Sequence, residues 1–262
     1  MTDAAYHSPA AWAAGPDRVY RQLAEAAVAR VPVASGWLAL DAGAGTAAVA
    51  RQLRLRGAVP VELDISEAML RHARNERSMP VVGDVLALPL RDRSVDLAVA
   101  SFVLSHLSDP GRGLAELVRV ARPGGIVLVT AFPAGPDTPS HPAKVAVDNV
   151  LSAYGYEPPD WYLQLKWAGE ERVGSRDALA ELASRVGMSS AVVEQVDVDL
   201  GGVGVDALMR WRLGMAQVAP WLSAQNRNRQ EEIRRTTHQA LQAVPATPLA
   251  MLLLSGHRSG VG

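Results

Sequence analysis

The chain has no cysteine, only two phenylalanines and no apolar run long enough to span a bilayer. Without thiols it can form no disulfide, no thiolate zinc site and no cysteine nucleophile, and no metal centre is expected. Its longest apolar stretch near the C-terminus, Pro248–Leu254, is far shorter than a transmembrane helix requires. There is no excess of either charge: 26 Lys and Arg oppose 27 Asp and Glu. No global field therefore draws the protein to nucleic acid or to an anionic membrane. The N-terminal residues lack a basic segment followed by an apolar core, so no signal peptide is visible. These absences lead us to expect a soluble, cytoplasmic protein with no nucleic-acid or membrane partner. Its oligomeric state is left open.

What is present is a regular alternation of short apolar runs and helical patterns from Trp37 to Phe132. The runs are Trp37–Leu40, Val59–Leu63, Val81–Val82, Val95–Val99 and Ile126–Phe132. Alternation of this kind predicts a parallel sheet covered by helices. The first four runs end near Asp41, Asp64, Asp84 and Ser101. Ligands of open α/β sheets bind at that carboxyl edge. The first run enters the turn Asp41-Ala42-Gly43-Ala44-Gly45-Thr46, whose glycines permit a tight turn and close ligand approach. An acidic residue ahead of the glycines suits a cationic ligand group better than a phosphate. That favours S-adenosylmethionine, with its ammonium and sulfonium, over a dinucleotide.

Helix signals fit this frame. Ser66 is a cap candidate, and Ser108-Asp109-Pro110 supplies a cap followed by a first-turn proline. The stripe Leu114, Leu117, Val118 and Ala121 follows, and Pro123-Gly124-Gly125 is expected to stop it before the fifth strand. Beyond Phe132 we expect helices from Pro142 to about Tyr154 and over Ser175–Gly187, and a strand over Ala191–Leu200. Leu208, Trp211, Met215, Val218 and Leu222 predict one continuous helical face, and Leu249–Leu254 a last strand. Arg227, Arg229, Arg234 and Arg235 are interrupted by Glu231 and Glu232, which suits a solvated helix face. Aromatics are sparse between residues 37 and 132 and cluster outside that span, where they could wall an apolar pocket or fasten accessory helices.

The runs LALDAGAGT, VELDISEAML, VVGDVLALPL, VDLAVASFVLSHLSDP and LVRVARPGGIVLV, taken in order, resemble the class I S-adenosylmethionine-dependent methyltransferases. The similarity is to the small-molecule branch related to ubiquinone and menaquinone methyltransferases, and it covers about a hundred residues. It implies a Rossmann-like, seven-stranded, mostly parallel sheet with helices on both faces, an antiparallel C-terminal strand and helical lid insertions. A single domain over 1–262 would carry N-terminal cap helices in 1–35 and lid segments at 133–172 and 201–247. The cofactor implied is S-adenosylmethionine, leaving as S-adenosylhomocysteine. Asp41, Gly43 and Gly45 would hold its methionine part, Asp64 its ribose, Ile65, Asp84 and Val85 its adenine, with Ser101 and Phe102 near the methyl end.

Glu62 departs from the family, which has a small or apolar residue there; it either faces solvent or meets an arginine. His106, after the fourth strand, is the candidate base, since histidine titrates near neutrality; it equally suits a loop-shaping role. Tyr6, Trp12, Tyr154, Tyr156, Trp161, Tyr162, Trp167 and Trp211 are the candidate substrate wall. The activity expected is methyl transfer to N, O or C of a small apolar or aromatic metabolite, in specialised biosynthesis. An NAD-dependent oxidoreductase, and a protein that binds S-adenosylmethionine without transferring methyl, are the competing readings.

Overall fold

A computed structural model describes residues 9–72, 74–135, 138–200 and 202–259, with only the backbone of Leu165, Trp167 and Ala168. Seven strands form one sheet: β1 Leu38–Ala42, β2 Val59–Asp64, β3 Met79–Val82, β4 Val95–Ser101, β5 Ala121–Ala131, β6 Met188–Val198 and β7 Leu249–Arg258. Their order is β3-β2-β1-β4-β5-β7-β6. The first five strands are parallel, and β7 runs antiparallel to both β5 and β6. Strand order reverses between β1 and β4, which opens a crevice at their carboxyl ends.

The strands read as unbroken apolar runs because both sheet faces are covered. Ala98 and Ala100 face one side with Leu40, Leu63, Val127 and Val129, beneath α5 (Pro110–Val120) and α8 (Arg176–Arg185). Leu97 and Val99 face the other with Leu128 and Met251, beneath α2 (Pro16–Val28) and α3 (Ala48–Leu55). Ser66 and Asp109 cap α4 (Glu67–Arg71) and α5 as expected, their side chains accepting from Met69 and Arg112 N–H. A third apolar cluster joins α6 (Pro142–Ala153), α9 (Val205–Leu213), α10 (Ala219–Ser223) and α11 (Arg227–Gln242) through Val147, Leu151, Leu213, Leu222 and Ile233. Among the described residues, no helix is long and apolar enough to cross a membrane.

Several expected boundaries move. β1 runs to Ala42, so Asp41 lies within the strand and opposite Glu62. Pro123-Gly124-Gly125 does not precede β5 but sits inside it. There a bulge sets Val95 against Ala121 and Leu97 against Ile126, and Gly124 takes φ +73°. The single helical face over 208–222 is broken: α9 stops at Gly214, and Pro220 occupies the first turn of α10. A further helix, α7 (Asp160–Val173), lies in the stretch expected to carry only one.

The N-terminal helices α1 (Pro9–Ala14) and α2 meet α9 at two glycines. A Cβ on Gly15 would lie 2.1 Å from the Arg210 carbonyl oxygen, and one on Gly214 would lie 2.7 Å from Pro16 Cδ. Neither position has room for a side chain.

Candidate active site

The turn after β1 is pinned to β2: Gly43 and Ala44 N–H both donate to Leu63 O, at 2.7 and 2.9 Å. Gly43 has φ +76°, and a Cβ there would strike Val103 Cγ2 at 2.4 Å. Gly45 has φ +49°, but a Cβ there would meet nothing within 4 Å. One glycine is thus required by packing and the other opens onto free space. Asp64 closes the turn, its Oδ2 accepting from Gly45 N–H and its Oδ1 from Ser66 N–H, each at 2.8 Å.

Glu62 meets two arginines. It is fully buried, accepting from Arg77 at 2.7 Å, Arg54 at 2.6 Å and Ser78 N–H at 3.0 Å. Arg77 in turn donates to the carbonyls of Gly45 at 2.6 Å and Met69 at 2.9 Å. A buried ion pair therefore holds the glycine turn from behind. No motif signals it, because the partners lie fifteen residues apart and in different elements.

Beside this turn lies a cleft of about 130 Å³, lined by Asp41, Gly43, Gly45, Thr46, Met69, Ser101, Val103 and His106, with the rings of Trp12, Tyr20 and Phe102. The rings form a connected string. Trp12 and Tyr20 centroids are 5.1 Å apart, Tyr20 meets Phe102 edge-on at 5.4 Å, and Phe102 stacks on Phe132 at 4.3 Å. Phe102 has φ +58°, and Ser101 shares a 2.9 Å hydrogen bond with Thr130. Thr46 donates to the buried Asp17 at 2.7 Å, linking the turn to α2. Sequence reasoning missed Tyr20, Thr46 and Met69 as lining residues. The placement of Tyr20 beside Trp12, upstream of β1, was the available signal for the first.

Asp41 is 2% exposed, and its Oδ2 accepts from Ala50 N–H at 2.9 Å. Burial pushes its carboxyl up to about 7. Burial also raises the Asp64 carboxyl, against hydrogen bonds from Ser66 and Gly45 that lower it. His106 moves the other way: burial holds its imidazole down at about 4, so the near-neutral titration expected of it does not hold.

The structure thus gathers Asp41, Gly43, Gly45, Ser101, Phe102, His106 and Trp12 around one cleft. Asp64 and Ile65 sit at the adjoining end of β2, with Ile65 exposed. Asp84 lies beyond β3, exposed and accepting from Leu86 N–H at 2.9 Å, while the Val85 side chain enters the core. Neither Asp64 nor Asp84 lines the cleft itself. The candidate substrate wall divides. Tyr154 hydrogen-bonds Thr236 on α11 at 3.1 Å, Tyr156 donates to Gln217 O at 3.0 Å, and Trp211 packs against His141. Trp161 is 37% exposed against Tyr162. None of these five lines the cleft. Tyr6 and the Trp167 side chain lie outside the described residues.

Comparison with known proteins finds matches to the sheet-forming segment and to the fold. A methyltransferase domain model matches residues 40–129, from β1 to β5. The demethylmenaquinone methyltransferase of Thermobifida fusca is 32% identical over 66% of this chain and 69% of its own length. The malonyl-[acyl-carrier protein] O-methyltransferase of Pseudescherichia vulneris is 36% identical over 52% of this chain, and the match spans only 55% of that relative. Among solved structures, phosphoethanolamine N-methyltransferase 2 of Haemonchus contortus, in complex with S-adenosyl-L-methionine, superposes with a TM-score of 0.57. It is 19% identical over 90% of this chain and 52% of that one. The [4+2]-cyclase SpnF superposes at 0.55, also 19% identical, over 94% and 81%. The strand order, the glycine turn and these relatives together place the chain in the S-adenosylmethionine-dependent methyltransferase family.

Proposed function

We propose that the protein transfers a methyl group from S-adenosylmethionine to an N, O or C nucleophile of a small apolar or aromatic metabolite, in a specialised biosynthetic setting. The observation that carries this reading is Asp41, a buried carboxylate on the cleft wall with no ion-pair partner among the described residues. A desolvated carboxylate in that position is satisfied by a cation such as the donor's ammonium. The open space at Gly45 and the two Asp64 oxygens beside it support the same assignment. Each Asp64 oxygen spends one acceptor site on a backbone N–H and keeps another for a ribose hydroxyl. Ile65 and Asp84, at the neighbouring strand ends, are the proposed adenine contacts, with the Val85 backbone.

S-adenosylmethionine supplies an already activated methyl group on a sulfonium. The chain's own task is then to orient, exclude water and accept a proton where the acceptor needs it. Positioning of this kind contributes about 7–11 kcal/mol to lowering a barrier. Ser101, Phe102 and Trp12 are the proposed walls at the reacting end. His106 is neutral at physiological pH and lines the same cleft. The α6–α7 and α9–α11 segments, with the N-terminal helices, form the proposed acceptor side of a single domain. The relatives' names point to two different acceptors, a carrier-borne malonyl group and a menaquinone precursor. We favour the free metabolite because the cleft is roofed by aromatic rings.

Calorimetric titration with S-adenosylhomocysteine tests the donor site. Asp64→Ala should lose roughly 3 kcal/mol, about a hundredfold in affinity, by giving up two charged hydrogen bonds. Asp64→Asn, which retains an acceptor for the turn, controls for folding. Undiminished binding by both variants would remove the assignment. Transfer of labelled methyl to a panel of acids, phenols and amines then separates a methyltransferase from a protein that only binds the donor.

A further inference from the structure

Arg212 on α9 is only 7% exposed, and its Nε has no hydrogen-bond partner among the described residues. Among the described residues its one ion-pair contact is Asp148 Oδ1 on α6, at a long 3.5 Å. That carboxylate is 42% exposed and already held by Lys144 at 2.5 Å. The guanidinium lies over the Trp211 ring, 5.3 Å from its centroid, which fixes its face. Its charge is felt by Tyr20 of α2, Tyr156 after α6 and Tyr162 of α7, whose hydroxyls burial raises and the arginine draws down. Tyr20 is also a wall of the cleft. A charge has therefore been taken out of water, on a helix packed against α2 and α6, with only one distant and shared carboxylate beside it among the described residues. Such an arrangement destabilises a fold unless a ligand completes it.

We propose that Arg212 anchors the methyl acceptor through an anionic oxygen, so that the substrate class is a small apolar or aromatic molecule bearing a carboxylate or similarly acidic group. The guanidinium offers a planar fork of donors that matches a carboxylate in two contacts. Tyr20 feels the arginine's charge and is also a wall of the cleft, and along it we place the apolar part of an acceptor gripped at its acidic end. The inference rests on the methyl-transfer reading and adds the acceptor's chemistry to it.

The test uses protein saturated with S-adenosylhomocysteine, titrated with 4-hydroxybenzoate and octanoate against 4-hydroxybenzamide and octanamide. The wild type should hold at least one acid about tenfold more tightly than its amide. Arg212→Gln should abolish that preference while changing S-adenosylhomocysteine affinity less than twofold, and Arg212→Lys should recover part of it. Equal binding of acid and amide by the wild type overturns the proposal, as does an acid preference that survives in Arg212→Gln. Failure of the donor reading would show separately, as loss of S-adenosylhomocysteine binding by the wild type.

Discussion

Asp41, buried, and His106, half-buried, respond to pH in opposite directions on the cleft wall. Asp41 has its carboxyl raised from 3.8 to about 7 by burial. The folded state therefore favours its neutral form. That contribution is complete below about pH 4 and is lost as pH rises through about 7, by on the order of 4 kcal/mol. A ligand ammonium reverses the loss. S-adenosylhomocysteine binding should accordingly tighten between pH 6 and 8, and Asp41→Asn should flatten that dependence in calorimetry. His106 is lowered from 6.5 to about 4, also by burial. Its contribution is complete above about pH 6.5 and is lost as pH falls through 4, by about 3 kcal/mol. His106→Gln should thus resist acid unfolding better than wild type at pH 4.5–5.5. The pH profile of kcat should show no inflection near 6.5. A midpoint there would return His106 to ordinary titration. Both residues were legible as site candidates from their positions near the carboxyl end of β1 and after β4. Their protonation was not, because burial is a property of neighbours that the local sequence does not encode.

At the scale of elements, the sheet was readable because two-sided burial leaves continuous apolar runs, and because caps such as Ser66 and Asp109 punctuate the helices. The bulge in β5 was hidden because Pro-Gly-Gly reads as a terminator until a neighbouring strand absorbs it. Helix α7 was hidden because its apolar residues do not gather on one stripe, so tertiary packing rather than amphipathic patterning supports it. The break at Gly214 shows the opposite failure, a periodic stripe carried across two helices by folded geometry. Glu62 and Arg77 belong to this scale, since they tie the end of β2 to the carbonyl of Gly45. Arg77→Met leaves Glu62 buried with Arg54 as its one cation and the Ser78 N–H, and should cost about 3–5 kcal/mol in chemical denaturation. It should also weaken S-adenosylhomocysteine binding, because the turn loses its rear support. A stable variant with unchanged donor affinity would reduce the pair to a packing detail.

For the whole molecule, the segment matched by the domain model, residues 40–129, is also the part whose sequence patterning was most explicit. The flanking segments were less legible, and for a physical reason. Their helices pack through apolar residues gathered from several elements, as in the cluster of Val147, Leu151, Leu213, Leu222 and Ile233, not through repeating motifs. Arg212 illustrates this: nothing in the local sequence distinguishes it from Arg210, yet one is buried and the other exposed.

The two glycine contacts that seat the N-terminal helices on α9 carry a consequence for how such proteins diversify. Gly15 rests against the Arg210 backbone, and Gly214 against Pro16. The two chain ends are therefore shaped as one joint, although almost two hundred positions separate them. A recombination crossover within the sheet-forming middle would unite halves from different parents and part that joint. The segments on either side of the sheet-forming middle are then expected to be inherited together.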